Sequence, residues 1–406
     1  MDIQKLFAER IGGDQFGLSN EVYKFGKIKA AKAEALSRHP DVELLDFGVG
    51  EPDHMAPEAV RAALKLAVDK PENRGYADNG TAEFKRAAAL YMREFFGVEV
   101  DPDTEINHCV GCKPALAMIP LCFVNPGDIV FRTVPGYPVM ATYTKYVGGE
   151  VVDLPINSEN GFYPDLNSID PDLAERAKLF YVNYPNNPTG KAATADFFDR
   201  LIAFAAKHNI IIVQDAAYAT LNYAEERLSI LGRPGGKDVA IELHSMSKSY
   251  NMTGWRLGFV AGNAKAVEAF SEVKDNTDSG QFKAIQEAAS AGIADMQLSE
   301  AIREHYRVRL EKLVKALKSA GFPAEMPGGT FYIYVPAPKA AGAVEFANAE
   351  DASQYLIKEH SISTVPWDDA GNFLRFSATF ESAGDSDDDR VVAELEKRLL
   401  AAELKF

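Results

Sequence analysis

The chain has 406 residues, 47% hydrophobic and 25% charged, proportions of a folded globular protein that exclude a disordered, collagen-like or disulfide-stapled chain. Forty-three lysines and arginines against 59 aspartates and glutamates give a net charge of −16, so nucleic-acid backbones and anionic membranes are expected to be repelled and any anion site must be local. No apolar run approaches the ~18 residues of a membrane span, residues 1–16 lack the apolar stretch of a signal peptide, and Cys109, Cys112 and Cys122 are too few to staple the chain, so a cytoplasmic location is expected.

No internal repeat, low-complexity tract or Ser/Gly linker marks a boundary, so organisation is read from the order of the elements. Short runs rich in β-branched and aromatic residues recur at 128–131, 179–182, 210–213, 239–243 and 257–260. Helix-period stretches such as 195–208 lie between several of them. The expected fold is therefore α/β: a large domain at 51–290 with a mainly parallel sheet covered by helices on both faces. After Gln281 the pattern becomes a long, charged, amphipathic segment reaching Ser319. A Pro327-Gly328-Gly329 turn follows, then a strand at 330–335, a helix at 349–360, a strand at 373–378 and a last helix from about Asp387. This α+β character predicts a smaller domain built from residues 1–50 and 291–406.

Open parallel sheets place their sites beyond the carboxyl ends of the strands. Four predicted strand ends carry polar clusters there: Pro135-Gly136-Tyr137-Pro138, Asn186-Asn187-Pro188-Thr189-Gly190, Asp215-Ala216-Ala217-Tyr218 and Ser245-Met246-Ser247-Lys248. Lys248, followed eight residues on by Arg256 with hydroxyls between, offers a nucleophilic amine beside a clamp for a dianion; alone, it reads as a lysine on a solvated loop. Asp215 ends an apolar run, where a carboxylate needs a cationic partner such as a pyridinium nitrogen; its other reading is a helix cap. Asn187 and Tyr218 can both donate to a phenolate oxygen, and otherwise serve turn and core. Spread over consecutive strand ends, the five residues make coincidence the weaker account.

The motifs Tyr-Pro-Asn-Asn-Pro-Thr-Gly (184–190), Asp-Ala-Ala-Tyr (215–218), Ser-Met-Ser-Lys (245–248) with Arg256, and Leu-Arg-Phe-Ser (374–377) resemble those of the fold-type I, pyridoxal-phosphate-dependent aminotransferases of the aspartate aminotransferase superfamily. The resemblance covers essentially the whole chain. Within the superfamily it is most similar to the LL-diaminopimelate aminotransferases, through the segments at 134–139, 144–149 and 278–282.

The resemblance implies pyridoxal 5'-phosphate as cofactor and a catalytic set of Lys248, Asp215 and Tyr218. Lys248 matches the covalent lysine that also shuttles a proton, and Asp215 the carboxylate on the ring nitrogen. Asn187 and Tyr218 match the groups on the ring hydroxyl, and Tyr137 the stacking aromatic. Ser245 and Arg256 match phosphate ligands, joined by backbone amides at Gly111, Cys112 and Lys113 where a helix is expected to begin. Tyr76 resembles the residue that reaches the neighbouring subunit's cofactor, implying a homodimer with shared sites. Arg375 matches the fork that grips the substrate α-carboxylate, with Gly50 and Asn187 beside it. Tyr23 and Lys113 are candidates for the far carboxylate of diaminopimelate, and Asp78 with Asn79 for its far ammonium. Cys112 stands where the family often has a small hydroxyl, and the 75–80 segment is one residue shorter than in plant-type relatives.

The implied activity is ping-pong transfer of the amine of LL-2,6-diaminopimelate to 2-oxoglutarate in lysine biosynthesis. Alternatives are an aspartate or aromatic aminotransferase, a β-lyase, or a non-catalytic regulatory protein of the same fold. No metal is expected: Cys109 and Cys112 have no second Cys-x-x-Cys, and the acidic run at 385–389 reads as the first turn of a helix. Gly48-Val49-Gly50 lacks the third glycine of a dinucleotide motif.

Overall fold

The structure, a computed structural model, describes residues 1–18, 24–224 and 226–406. One seven-stranded sheet dominates, in the order Ile106–Cys109, Gly258–Gly262, Ala240–Ser245, Ile211–Asp215, Ala177–Asn183, Ile129–Val134 and Glu150–Pro155. Its ladders are parallel except the two made by Gly258–Gly262, which runs against both neighbours.

Successive side chains of a strand point to opposite faces. Phe180, Val182 and Ile212 accordingly enter one core, while Leu179, Tyr181 and Val213 enter another on the far side. Both faces are covered by helices, so the apolar runs are continuous instead of alternating. The helix Ala195–His208 shows how a crossover is specified. Thr194 caps its start by accepting from the Phe197 amide, Asn209 ends it at φ 55°, and Phe197, Phe198, Leu201, Ile202 and Ala205 form its buried stripe.

The expected α/β class with a mainly parallel sheet and added smaller sheets is what the chain adopts. Two strands escape the sequence pattern. Ile106–Cys109 carries Asn107 and His108, polar residues that are nonetheless buried, and Glu150–Pro155 is a largely exposed edge.

A separate core gathers the C-terminal region around the antiparallel strands Val365–Trp367, Phe373–Ser377 and Tyr332–Pro336. The segment after Gln281 is two helices, Lys283–Ile293 and Met296–Ser319, and Ala349–His360 and Asp385–Ala401 follow. Leu45–Asp46 pairs with Ile362–Ser363, which brings the early chain onto this second core.

Arg309 is the main buried charge there. Its guanidinium donates to Asp388, Ala378 O, Phe380 O and Ser382, and lies 3.0 Å from Asp53 Oδ2. Every N–H of the fork has an acceptor, the condition under which a buried ion pair is tolerated; removing one partner costs about 3–5 kcal/mol. Tyr218 and Leu221, just past the strand Ile211–Asp215, also belong to this second core, so the carboxyl edge of the sheet faces it.

Candidate active site

At that edge lies a cavity of about 310 Å³ whose lining includes Cys112, Lys113, Tyr137, Asn187, Asp215, Tyr218, Ser245, Lys248, Arg256 and Arg375. Residues read from four separate strand ends are therefore brought together. Asp215 is the last residue of its strand, level with Asn183 and Leu243 on its neighbours. Burial pushes its pKa up to about 6, opposed by the Ala217 N–H and the Tyr181 hydroxyl, each 3.2 Å from a carboxylate oxygen. Among the described residues no Lys, Arg or His pairs with it within 4.0 Å. A carboxylate so placed favours a cation from outside the chain.

Lys248 sits in the short helix Met246–Ser249 that follows the strand Ala240–Ser245, and Ser245 caps this turn by accepting from the Ser247 amide. Its amine donates to Gly50 O at 2.9 Å and lies 5.3 Å and 5.9 Å from the Phe331 and Tyr218 ring centres. Desolvation lowers its pKa to about 7, with Arg375 and Arg256 adding to the effect and Glu51 opposing it. A neutral, nucleophilic amine is thus available close to neutral pH.

Another part of the lining favours an anion. The helix Cys112–Phe123 begins at the cavity, with Cys112 and Lys113 of its first turn in the lining, and a helix start favours an anion. Arg256 holds the left-handed φ of 58° and donates to Thr253 O at 2.7 Å, while Gln281 donates to its carbonyl. Gly111 has φ 82°, and a Cβ there would collide with the Arg256 guanidinium, so the arginine's approach requires glycine. Cys112 is a neutral thiol, its pKa raised well above the ordinary value by burial.

Arg375 occupies the third side. It is 4% exposed, donates to Asn187 Oδ1 at 3.0 Å and Gly48 O at 3.1 Å, and lies 4.0 Å over the Tyr332 ring. Its Nε is buried without a partner, and among the described residues no carboxylate lies within ion-pair distance of it. A guanidinium held by neutral oxygens alone is suited to a bidentate carboxylate.

Tyr76, Asp78 and Asn79 do not line this cavity. Tyr76 is 81% exposed beside Ser279, Gln281 and Phe282, the Asp78 carbonyl is held by Lys274, and Asn79 bonds Asp275 and Asn107. Tyr23 lies outside the described residues. Tyr181, Asn183 and Tyr332 were not anticipated. Asn183 bonds Asp215 O and receives the Asn187 amide, and the Tyr332 hydroxyl lies 3.1 Å from that of Tyr218. The available signal was polarity within apolar strands, which reads equally as core packing.

The family description Aminotransferase class I and II matches residues 42–392. The chain belongs to this aminotransferase family. Over its full length the aminotransferase is 52% identical to the LL-diaminopimelate aminotransferase of Methanocaldococcus jannaschii and 51% identical to that of Methanococcus maripaludis, covering 99% of each. It also superposes on the aspartate aminotransferase of Rhizobium meliloti with a TM-score of 0.85 at 25% identity, covering 98% of this chain and 99% of that one.

Members of the family work with pyridoxal phosphate, and the residues of this aminotransferase fit that group. Asp215, with no cationic partner among the described residues, suits a protonated ring nitrogen, the helix start with Arg256 and Ser245 suits a phosphate, and the Lys248 amine lines the same cavity as Arg375.

Proposed function

We propose that this aminotransferase moves the amine of LL-2,6-diaminopimelate to 2-oxoglutarate, and in reverse that of glutamate to tetrahydrodipicolinate, with pyridoxal 5'-phosphate as cofactor. The observation that carries the substrate is the 52% identity to an LL-diaminopimelate aminotransferase over the whole chain, because it spans the segments that read both ends of a substrate. Transamination belongs to lysine biosynthesis on this reading, and a cytoplasmic homodimer is its setting.

Pyridoxal phosphate, when bound, supplies an electron sink for the charge left on an amino acid's Cα. Ser245, Arg256 and the backbone at 111–113 hold its phosphate, Tyr137 flanks its ring, and Asn187 with Tyr218 donate to its ring oxygen. Asp215 keeps the proton on the ring nitrogen in place. Arg375 orients the substrate through its α-carboxylate, with Gly50 beside it, and so presents the Cα–H to Lys248. The Lys248 amine, with a pKa lowered to about 7, would take that proton from Cα and pass it to C4′ of the cofactor. Tyr76, exposed on one chain, completes the site of the second. Asp78 and Asn79 serve the far ammonium, and Lys113 with Tyr23 the far carboxylate.

A panel of amino donors with 2-oxoglutarate tests the substrate. LL-diaminopimelate is expected to give the highest kcat/KM, well above aspartate and phenylalanine. A higher value with either of those would reassign the enzyme to the aspartate or aromatic class.

A further inference from the structure

Away from the Lys248 cavity, Asp53, His54 and His305 form a second cluster of donor atoms. The two imidazoles stack with centres 4.4 Å apart at 28°. Each Nε2 lies 3.4 Å from the same oxygen, Asp53 Oδ2, and all three donor atoms fall within 4.8 Å of one another. His305 Nε2 is buried, and its 3.4 Å contact with Asp53 Oδ2 falls short of hydrogen-bond geometry. Two ligands held at about 2.0–2.1 Å by a tetrahedral ion stand about 3.3–3.4 Å apart, the spacing of each histidine from Asp53 Oδ2, while the two nitrogens lie within 4.8 Å of each other.

The surroundings resemble those of a ligating carboxylate. Tyr306 donates to Asp53 Oδ1 at 2.8 Å, and Arg309 fixes Oδ2 from the buried side at 3.0 Å. His54 is more than half exposed, leaving an entry from solvent. A hollow of about 270 Å³ adjoins both histidines, and Asn251 on its wall has a buried Oδ1 without a partner, an acceptor for a water on an ion's open position.

We propose that Asp53, His54 and His305 form a three-ligand site for a divalent transition ion of the zinc type, with water completing the tetrahedron. Imidazole donors favour zinc over magnesium or calcium, which prefer all-oxygen shells. The site departs from the sequence expectation of no metal because His305 lies some 250 residues from Asp53 and His54, a distance no spacing motif spans. His305 stands on the helix Met296–Ser319, and His54 lies four residues beyond Gly50, whose carbonyl receives the Lys248 amine. The ion would staple that segment to the second core, so its effect is on stability and not on the amine transfer.

The test uses chelator-treated holoenzyme dialysed against zinc(II), with bound metal counted by elemental mass spectrometry and melting followed with and without zinc. One zinc per chain and a raised Tm are expected. His54→Ala and His305→Ala are each expected to weaken binding by at least about tenfold and to abolish the shift, while His208→Ala, elsewhere on the chain, keeps both. Cobalt(II) in place of zinc gives the intense visible bands of tetrahedral coordination only where both histidines remain. Turnover of His54→Ala without metal, matching the unmodified enzyme, shows that the variant is folded. Absence of stoichiometric zinc in the unmodified enzyme, or its retention by both histidine variants, overturns the site.

Discussion

The Tyr181 hydroxyl donates to Asp215 Oδ2 across 3.2 Å, from one parallel strand to the next. It partly offsets the burial that lifts the Asp215 pKa from 3.8 to about 6. Without cofactor, the folded chain therefore binds this proton more tightly than the unfolded chain. The stability contributed by this proton is full below the unfolded pKa, is lost as pH rises through about 6, and then stays lost, a change of about 3 kcal/mol. Asp215→Asn is expected to flatten that slope in the stripped protein and to raise its stability at pH 8, while cutting transamination by orders of magnitude. Urea melts at pH 4 and pH 8 measure the first effect and steady-state rates the second; an unchanged slope would contradict it.

Lys248 gives a kinetic counterpart. With its pKa lowered to about 7 by desolvation, the amine becomes nucleophilic as pH rises through that value, not near 10. The rate at which stripped protein captures pyridoxal phosphate covalently is expected to reach half its maximum close to pH 7. Stopped-flow absorbance across pH 5 to 10 measures it, and a midpoint near 10 would show an ordinary, hydrated lysine.

Arg375→Lys keeps the charge and loses the fork. Since the α-carboxylate is common to every donor, kcat/KM is expected to fall roughly 10–1,000-fold for LL-diaminopimelate and glutamate alike. Asp78→Ala, by contrast, is expected to impair only LL-diaminopimelate, because glutamate has no second ammonium. Separate half-reactions by stopped flow distinguish the two; equal losses for both donors in Asp78→Ala would assign that residue to the turn before Gly80.

Shared sites make a prediction about mixing. Lys248→Ala and Tyr76→Phe homodimers are each expected to be impaired, whereas subunit exchange produces dimers with one site carrying both lesions and one carrying neither. Activity above the sum of the parents supports the shared site, and a fully active monomer by sedimentation would rule it out.

The sheet was legible where both faces are covered, because burial left apolar stretches at 179–182 and 211–213 in two central strands and an apolar majority at 239–243 despite the buried Glu242. Ile106–Cys109 was not, since Asn107 and His108 are buried through partners distant in sequence, Asn79 and Gln281. The same reason divides the site. Lys248, Asp215 and Asn187 stand at neighbouring strand ends, where each alone also reads as loop, cap or turn but their clustering does not. Tyr181 and Tyr332 lie within strands, where a phenol packs as core; the partner of the Tyr181 hydroxyl emerges only from the register that sets Tyr181 against Val213, and that of Tyr332 only from the contact with Tyr218. Tyr76 and Asp78 stand outside the cavity of their own chain.

The central claim is that amine transfer turns on Lys248. Borohydride reduction of the holoenzyme followed by peptide mapping measures it most directly. The predicted result is cofactor mass on the peptide containing Lys248 and no turnover in Lys248→Ala; cofactor mass on another lysine, or near-normal multiple turnover in that variant, would contradict the account.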